Sequence, residues 1–354
     1  MSKIDIKSLN IEELNKFIED IGEKKFRAKQ IYKWLHVQHV ASFDEMTDIS
    51  KSLRDKLKDL CEITTLQIIK VLTSKEDGTK KYLFSLSDGN IIESVFMRYH
   101  HGNSVCISTQ VGCRMGCRFC ASTLDGLERN LMPSEMLDEI YSIIKDTGER
   151  VSNIVLMGSG EPLDNFDNVC KFIKLISDEN GVNISHRNIT LSTCGLVPDI
   201  IRLADLNPGV TLAISLHASD DETRKELMPI ANKYSIKEVL DAVRYFFDKT
   251  GRRITFEYSL VGGVNDTVEE AEKLANLIKG INCHVNLIPV NPIKERNFKE
   301  SKAPDIKKFQ NQLEKYKINV TIRREMGRDI NGACGQLRKS FLNNEISKEK
   351  EGEG

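Results

Sequence analysis

No stretch of this 354-residue chain is apolar for long enough to cross a bilayer, which takes about 20 consecutive residues. Residues 1–10 carry Lys3, Asp5 and Lys7 among isolated aliphatics. They lack the continuous apolar run of an export signal, so a cytoplasmic protein is expected, with no membrane partner. An excess of positive charge is missing too. Lys and Arg number 51 against 52 Asp and Glu, a net charge of −1. That excludes a uniformly basic nucleic-acid binder and leaves room for a locally basic face. There is no internal repeat beyond an alternation of strand and helix patterns. With 40% hydrophobic and 29% charged residues, the composition excludes wholesale disorder. Nine cysteines are present. In a reducing compartment they point to metal or thiol chemistry rather than to a disulfide framework.

The length suits one large α/β domain with small additions. Residues 1–62 read as a helical module. Ile11, Leu14, Ile18 and Ile21 recur at helical spacing, as do Ala28, Ile31, Trp34 and Leu35, then Ile49, Leu53, Leu57 and Leu60. The second of these helices is basic at its start, with Lys24, Lys25, Arg27, Lys29 and Lys33 against Glu23 alone. Such a run is usually a solvated face, and it is also a candidate contact for a polyanion. Residues 63–103 read as a β-meander, with Asp77-Gly78 and Asp88-Gly89 as hairpin-turn dipeptides. From 104 to 340, strand patterns at 105–108, 153–157, 188–192, 211–216, 254–259, 284–288 and 319–323 alternate with helical stretches. Repeated βα units imply parallel strands, whose C-terminal ends gather the chemistry. Residues 341–354 are charged and glycine-bearing, and read as a disordered tail.

After the first of these strands comes Cys113-Arg114-Met115-Gly116-Cys117-Arg118-Phe119-Cys120. Three thiolates this close on one loop can hold three irons of a cubane cluster and leave a fourth iron open. A zinc site or three unrelated buried thiols are the alternatives. Zinc sites commonly pair two C-x2-C copies, and the second copy is missing. Gly158-Ser159-Gly160-Glu161-Pro162 follows the next strand. There glycines allow close backbone approach, and a carboxylate can accept from a ligand ammonium. Alone, glycines after a strand are often only a turn.

The triplet, with Phe119 before its last cysteine, resembles the radical S-adenosylmethionine (SAM) superfamily. That resemblance implies a partial (β/α)6-type barrel and one 4Fe–4S cluster on Cys113, Cys117 and Cys120. It implies a SAM whose reductive cleavage gives a deoxyadenosyl radical. Further segments narrow the resemblance. They are Cys106-Ile107-Ser108-Thr109-Gln110-Val111-Gly112-Cys113, Leu191-Ser192-Thr193 and Ala213-Ile214-Ser215-Leu216-His217-Ala218. Two more are Val285-Asn286-Leu287-Ile288-Pro289-Val290-Asn291-Pro292 and Asp329-Ile330-Asn331-Gly332-Ala333-Cys334-Gly335-Gln336-Leu337. Together, over nearly the whole chain, they are similar to the RlmN-type dual-specificity RNA methyltransferases. Departures from that pattern are Ser159 in place of methionine, Cys194 in place of a serine, and Asn331-Gly332 in place of Asp-Ala.

This narrower resemblance implies methylation of C2 of an adenosine in 23S ribosomal RNA and of adenosine 37 in transfer RNAs. Two SAM molecules are consumed per turnover. Gly160, Glu161, Ser192, Ser215, Leu216, His217 and Asn291 would bind SAM. Cys334 would be the methylated cysteine, Cys106 its thiol partner and Glu93 the proton acceptor. The chemistry is coherent: adenine C2 is electron-poor and does not displace a methyl from SAM, whereas a carbon radical adds to it. Release through attack of one thiol on the other's sulfur is ordinary thiol–disulfide exchange with an unusual leaving group. The resemblance also implies an electron donor such as flavodoxin or ferredoxin, and a monomer. RNA contact is expected from the basic second helix and from Arg323, Arg324 and Arg328, with the target base flipped out. Cys61, Cys170, Cys194 and Cys283 read as packing residues. The related C8-adenosine methylase that confers antibiotic resistance is the nearest alternative, and a non-catalytic RNA-binding iron–sulfur protein a more distant one.

Overall fold

The computed structural model describes residues 3–291 and 297–332. Cys334 and the expected tail at 341–354 lie outside the described residues.

The first helix, α1 (Ile11–Asp20), starts where Asn10 accepts the N–H groups of Glu12 and Glu13, while the Glu13 carboxylate accepts the Asn10 N–H. This reciprocal cap satisfies donors that the helix itself leaves unpaired. Helices α2 (Phe26–His36) and α3 (Lys51–Leu60) complete the module. The expected apolar stripes meet inside it, with Leu14, Ile18, Ala28, Ile31, Leu35, Leu53 and Leu57 all buried. Leu60 departs from its stripe and is exposed at the end of α3. The short strand β1 (Ile4–Asp5) pairs in parallel with β2 (Cys61–Glu62), tying the two ends of the module together.

Three antiparallel strands follow, β3 (Gln67–Thr73), β4 (Lys80–Ser85) and β5 (Ile91–Met97). Both expected hairpin turns are present, with Gly78 and Gly89 at φ +73° and +82°. The meander does not stand apart. β5 pairs antiparallel with β6 (Asn103–Cys106), which begins the parallel array. A separate two-stranded sheet, β7 (Gln110–Gly112) with β8 (Leu127–Asn130), has no counterpart in the sequence pattern; it frames the cysteine loop.

The chain then alternates. Helix α4 (Pro133–Thr147) leads to β9 (Val151–Leu156), and α5 (Phe166–Ile176) to β10 (Ile189–Thr193). Helix α6 (Val197–Leu206) leads to β11 (Thr211–Ser215), and α7 (Asp221–Leu227) and α8 (Ile236–Thr250) to β12 (Ile254–Leu260). Helix α9 (Val268–Leu277) precedes β13 (Cys283–Pro289), and α10 (Ala303–Lys315) precedes β14 (Asn319–Ile322). The sheet order is β14-β13-β12-β11-β10-β9-β6-β5-β4-β3. Six parallel strands, β6 and β9 through β13, form the (β/α)6 set. β14 adds a seventh at the edge, and the meander extends the other side.

The helical module docks on α4 through buried polar contacts. Lys7 Nζ lies 2.5 Å from Asp138 Oδ1, with side chains 1% and 9% exposed. The other oxygen of Asp138 accepts the Leu66 N–H at 2.6 Å, and Ser134 donates to Asp5 at 2.6 Å.

Candidate active site

The cluster cysteines and the expected SAM-binding residues gather at the C-terminal ends of the parallel strands, where strand-to-helix loops can be varied without disturbing the core. Two glycines let these loops close on one another. A Cβ at Gly158 would lie 2.5 Å from the Ile107 carbonyl oxygen, and one at Gly160 (φ +107°) would lie 2.6 Å from Gln110 Cβ. Only glycine permits that approach. It brings the loop after β9 against the segment after β6, where Gly158 N–H donates to the Ile107 carbonyl at 3.0 Å.

Cys113, Cys117 and Cys120 line one cavity together with Gly160, Glu161, Ser192, Ser215, His217 and Asn291. The cysteine loop is fixed by its own carbonyls. Thr123 Oγ1 donates to the carbonyls of Cys117 and Cys120 at 3.1 and 3.0 Å, and Arg118 N–H donates to the Leu227 carbonyl at 2.9 Å. Burial pushes the Cys113 thiol up to about 12, helped by the charges of Cys120 and Glu161. Burial raises Cys117 as well, with Cys120 and Cys113 next in effect. The three sulfurs are thus electrostatic neighbours on one wall, Cys113 and Cys117 buried and Cys120 partly exposed. Among the described residues, no three His, Cys, Asp or Glu side chains converge on a single-ion site. A cubane asks for one thiolate per iron rather than three on one ion, and this loop fits that demand.

Glu161 is 4% exposed. One of its oxygens accepts the Leu163 N–H at 3.1 Å and the other the Cys194 N–H at 2.8 Å. Burial raises its pKa despite these donors. The hydroxyls of Ser192 and Ser215 lie 3.5 Å apart on adjacent strands. His217 sits at φ +58°. Its Nδ1 accepts the Ser259 N–H at 2.9 Å, so the ring proton is on Nε2. Burial, reinforced by Arg224, holds the imidazole down to about 3 and keeps it neutral. Carboxylate, hydroxyl, imidazole N–H and amide groups therefore face the cavity beside the thiols. That is the donor and acceptor set an amino-acid sulfonium with an attached nucleoside requires.

Leu216 is placed otherwise. It is fully buried and does not line the cavity; its N–H donates to the Glu257 carbonyl at 3.1 Å, and its own carbonyl accepts from Arg224. The cavity also contains residues that sequence reasoning missed. Cys194, read as a packing residue, lines it and anchors Glu161. Glu257 is buried, with its pKa raised by that burial, and it receives Asn286 Nδ2 at 2.9 Å. Behind the wall, Arg224 is completely buried and donates to the carbonyls of Leu216, Tyr234 and Cys194.

Cys106 ends β6 and lines a second, smaller cavity. The two cavities share Met157, Ile288, Asn291 and Arg323 as walls. Gly332, two residues before Cys334, also lines the second cavity. Glu93 stands on β5 two residues before Val95, which is the register partner of Cys106. It lines neither cavity; it pairs with Lys81 at 3.1 Å, both side chains being 1% exposed. Next to it, Glu139 is fully buried, accepts the Ser108 N–H at 3.0 Å and the Ser94 hydroxyl, and has a pKa raised well above normal by burial.

The expected arginine patch for RNA is only partly open. Arg323 turns inward, 3.8 Å from Glu257, and Arg324 lines the second cavity. Arg328 is taken up by Glu300 at 2.8 Å and Glu325 at 3.1 Å. At the basic helix start, Lys24, Lys25, Lys29 and Lys33 are exposed, with Phe26 51% exposed among them.

The parallel half-barrel with a cysteine triplet at its strand ends defines a radical SAM enzyme, and residues 107–278 match the Radical SAM superfamily. Residues 4–63 match the ribosomal RNA large subunit methyltransferase N-terminal domain. A probable dual-specificity RNA methyltransferase RlmN of Lachnospira eligens is 64% identical over 338 residues, spanning 96% of this chain and 97% of that protein. The corresponding protein of Clostridium perfringens strain 13 is 59% identical over 96% of this chain and 97% of its own. The crystal structure of a radical SAM methyltransferase from Sphaerobacter thermophilus superposes with a TM-score of 0.91 at 40% identity, covering 95% of this chain and 99% of that one. The chain belongs to the RlmN family of dual-specificity RNA methyltransferases. It is a radical SAM methyltransferase, with a 4Fe–4S cluster and SAM as cofactors.

Proposed function

We propose that the protein methylates C2 of adenosine in 23S ribosomal RNA and of adenosine 37 in transfer RNA, with the residues of the two joined cavities in distinct roles. The observation that carries this reading is the pair of cavities sharing one wall: cluster cysteines in the first, Cys106 and Gly332 in the second. Cys113, Cys117 and Cys120 hold the cluster. Gly160, Glu161, Ser192, Ser215, His217 and Asn291 bind SAM, with Leu216 contributing by setting the backbone of the β11 end. When bound, these cofactors supply a methyl group and the radical chemistry that activates it.

The chain's own residues do the rest. Cys334 carries the one-carbon unit to the base; the adduct gives up one electron, for which the cluster held by Cys113, Cys117 and Cys120 would be the acceptor, and Glu93 accepts the proton lost from C2. The Cys106 thiolate then attacks the Cys334 sulfur. An S–S bond forms as the S–C bond breaks, and the electron pair left on the product carbon takes a proton. The exposed lysines of α2 offer phosphate contacts, which position RNA without reading its sequence. A one-electron donor such as flavodoxin or ferredoxin is required by the cofactor chemistry. A cytoplasmic monomer fits, because a single chain lines both cavities. Among the described residues, no helix is long and apolar enough to cross a membrane.

The test is mass analysis of RNA treated with reduced, reconstituted protein and SAM. The expected product is 2-methyladenosine; 8-methyladenosine would assign the protein to the C8 class, and no methylated base would refute the reading.

A further inference from the structure

The β3–β4 turn grips the last described stretch of the chain. Asp77, in that turn, accepts the Gly327 N–H on Oδ2 and the Thr79 N–H on Oδ1, each at 2.9 Å. In return, Asp329 Oδ2 accepts the Lys75 N–H at 3.0 Å. Thr79 is fully buried, and its methyl would lie 3.0 Å from a Cβ at Gly327, whose φ is +64°. The 327 turn then closes on itself, Gly332 N–H donating to the Gly327 carbonyl at 2.8 Å.

Lys81 adds a further contact from inside. Its register partner on β5 is Val95, which places it diagonally from Glu93. Its Nζ is 3.1 Å from Glu93 Oε1 and 3.3 Å from the Asn331 carbonyl oxygen. A buried lysine is a poor means of adding stability, since apolar side chains of similar volume often serve as well or better. What this ammonium does that an aliphatic chain cannot is join a carboxylate to a backbone carbonyl three residues before Cys334. One residue after Asn331, Gly332 already forms wall of the Cys106 cavity.

We propose that Lys81 and Asp77 are positioning residues for methyl transfer, a two-point clamp that sets where the chain enters the Cys106 cavity. Lys81 registers the segment leading to Cys334 against Glu93; Asp77 fixes the turn from which that segment departs. Neither touches the reacting atoms. This rests on the roles given above to Glu93, Cys106 and Cys334.

The test uses full-length reconstituted Lys81→Met, Lys81→Arg and Asp77→Ala proteins. Iron content, amide hydrogen exchange at Gly327 and Gly332, SAM-dependent methylation of the Cys334 peptide without RNA, and the pH profile of RNA methylation are measured. The clamp predicts normal iron content in all three. It predicts exchange at the two glycines faster by roughly tenfold or more in Asp77→Ala and Lys81→Met, as expected when a local anchor is removed. Cys334 methylation should slow by a similar factor in both, and Lys81→Arg should recover most of it. Only Lys81→Met should also move the pH profile, because it alone removes the charge facing Glu93. Should Lys81→Met not fold, Asp77→Ala and Lys81→Arg carry the comparison. Wild-type Cys334 methylation in Asp77→Ala together with unchanged exchange overturns the clamp. A Lys81→Met defect confined to the pH profile overturns it as well, since Lys81 then serves Glu93 alone. Absence of methyl on Cys334 in the unaltered protein would instead remove the reading beneath it.

Discussion

Mild acid should loosen the junction between the helical module and α4, and His36 is the group that makes it do so. His36 is 0% exposed; its Nδ1 lies 2.8 Å from the Tyr141 hydroxyl, and its Nε2 has no hydrogen-bond partner among the described residues. His39 stacks on the same Tyr141 ring at 4.1 Å. Burial holds His36 down to about 3 and His39 to about 4, and the Lys7 ammonium pushes both the same way. Both are therefore neutral when folded. The unfolded chain binds their protons below about pH 6.5, so stability is complete above that value. It falls as pH drops toward the folded pKa and, for His36, stops falling below about 3. At pH 5 the gap from the unfolded value is about 1.5 units, or about 2 kcal/mol for His36. His39, partly exposed, adds less in the same direction. Set against a typical domain stability of about 5–15 kcal/mol, this is a large fraction. The assay is anaerobic urea unfolding at pH 7 and pH 5, followed by fluorescence of the single tryptophan, Trp34, which lies in α2 beside His36. His36→Gln cannot titrate. Wild type should lose about 2 kcal/mol more than this variant between the two pH values. Equal losses would refute the reasoning, because carboxylates elsewhere contribute identically to both proteins.

Two further expectations concern the reaction and its substrate. Cys106→Ala should keep cluster and SAM binding yet accumulate RNA joined to protein through Cys334, visible on denaturing gels. Multiple turnover without such a species would make Cys106 a packing residue whose truncation costs only about 1 kcal/mol. Lys24→Glu combined with Lys29→Glu should weaken RNA binding and flatten its salt dependence, by about one unit of slope for each phosphate no longer neutralised. An unchanged slope would place the RNA elsewhere.

Local chemistry is legible in the sequence. The two Asp-Gly dipeptides demand positive φ, and that alone locates the hairpins of the meander. The cysteine triplet is confined to one loop, so its grouping needs no tertiary knowledge. The start of α4 is set locally as well, since Pro133 opens it with its fixed φ after Met132. Long-range demands are not legible. Nothing near Cys194 announces that its backbone N–H is needed by Glu161, 33 residues away. Arg328 looks available for RNA because its closer partner, Glu300, is contributed from 28 residues upstream. Glu257 and Arg323 lie on β12 and just beyond β14, and only the folded sheet shows that they face each other.

The meander draws least attention in the sequence and yet reaches the Cys106 cavity. Read as an extension, it would be expected to do no more than cover an edge. Its last strand, however, continues the barrel sheet directly, with Val95 beside Cys106. Any side chain on the same face of β5 is then carried to the second cavity's side, and Glu93 is two residues away on that face. A carboxylate at that point must be enclosed by β4, and a strand that encloses it must bring a cation or leave the charge uncompensated. Lys81 answers that need from β4. Because β4 begins directly after the turn that holds Gly327, the residue that balances Glu93 is also within reach of the Asn331 carbonyl. The coupling between Glu93 and the segment that leads to Cys334 is thus a consequence of strand order, and neither motif carries it separately.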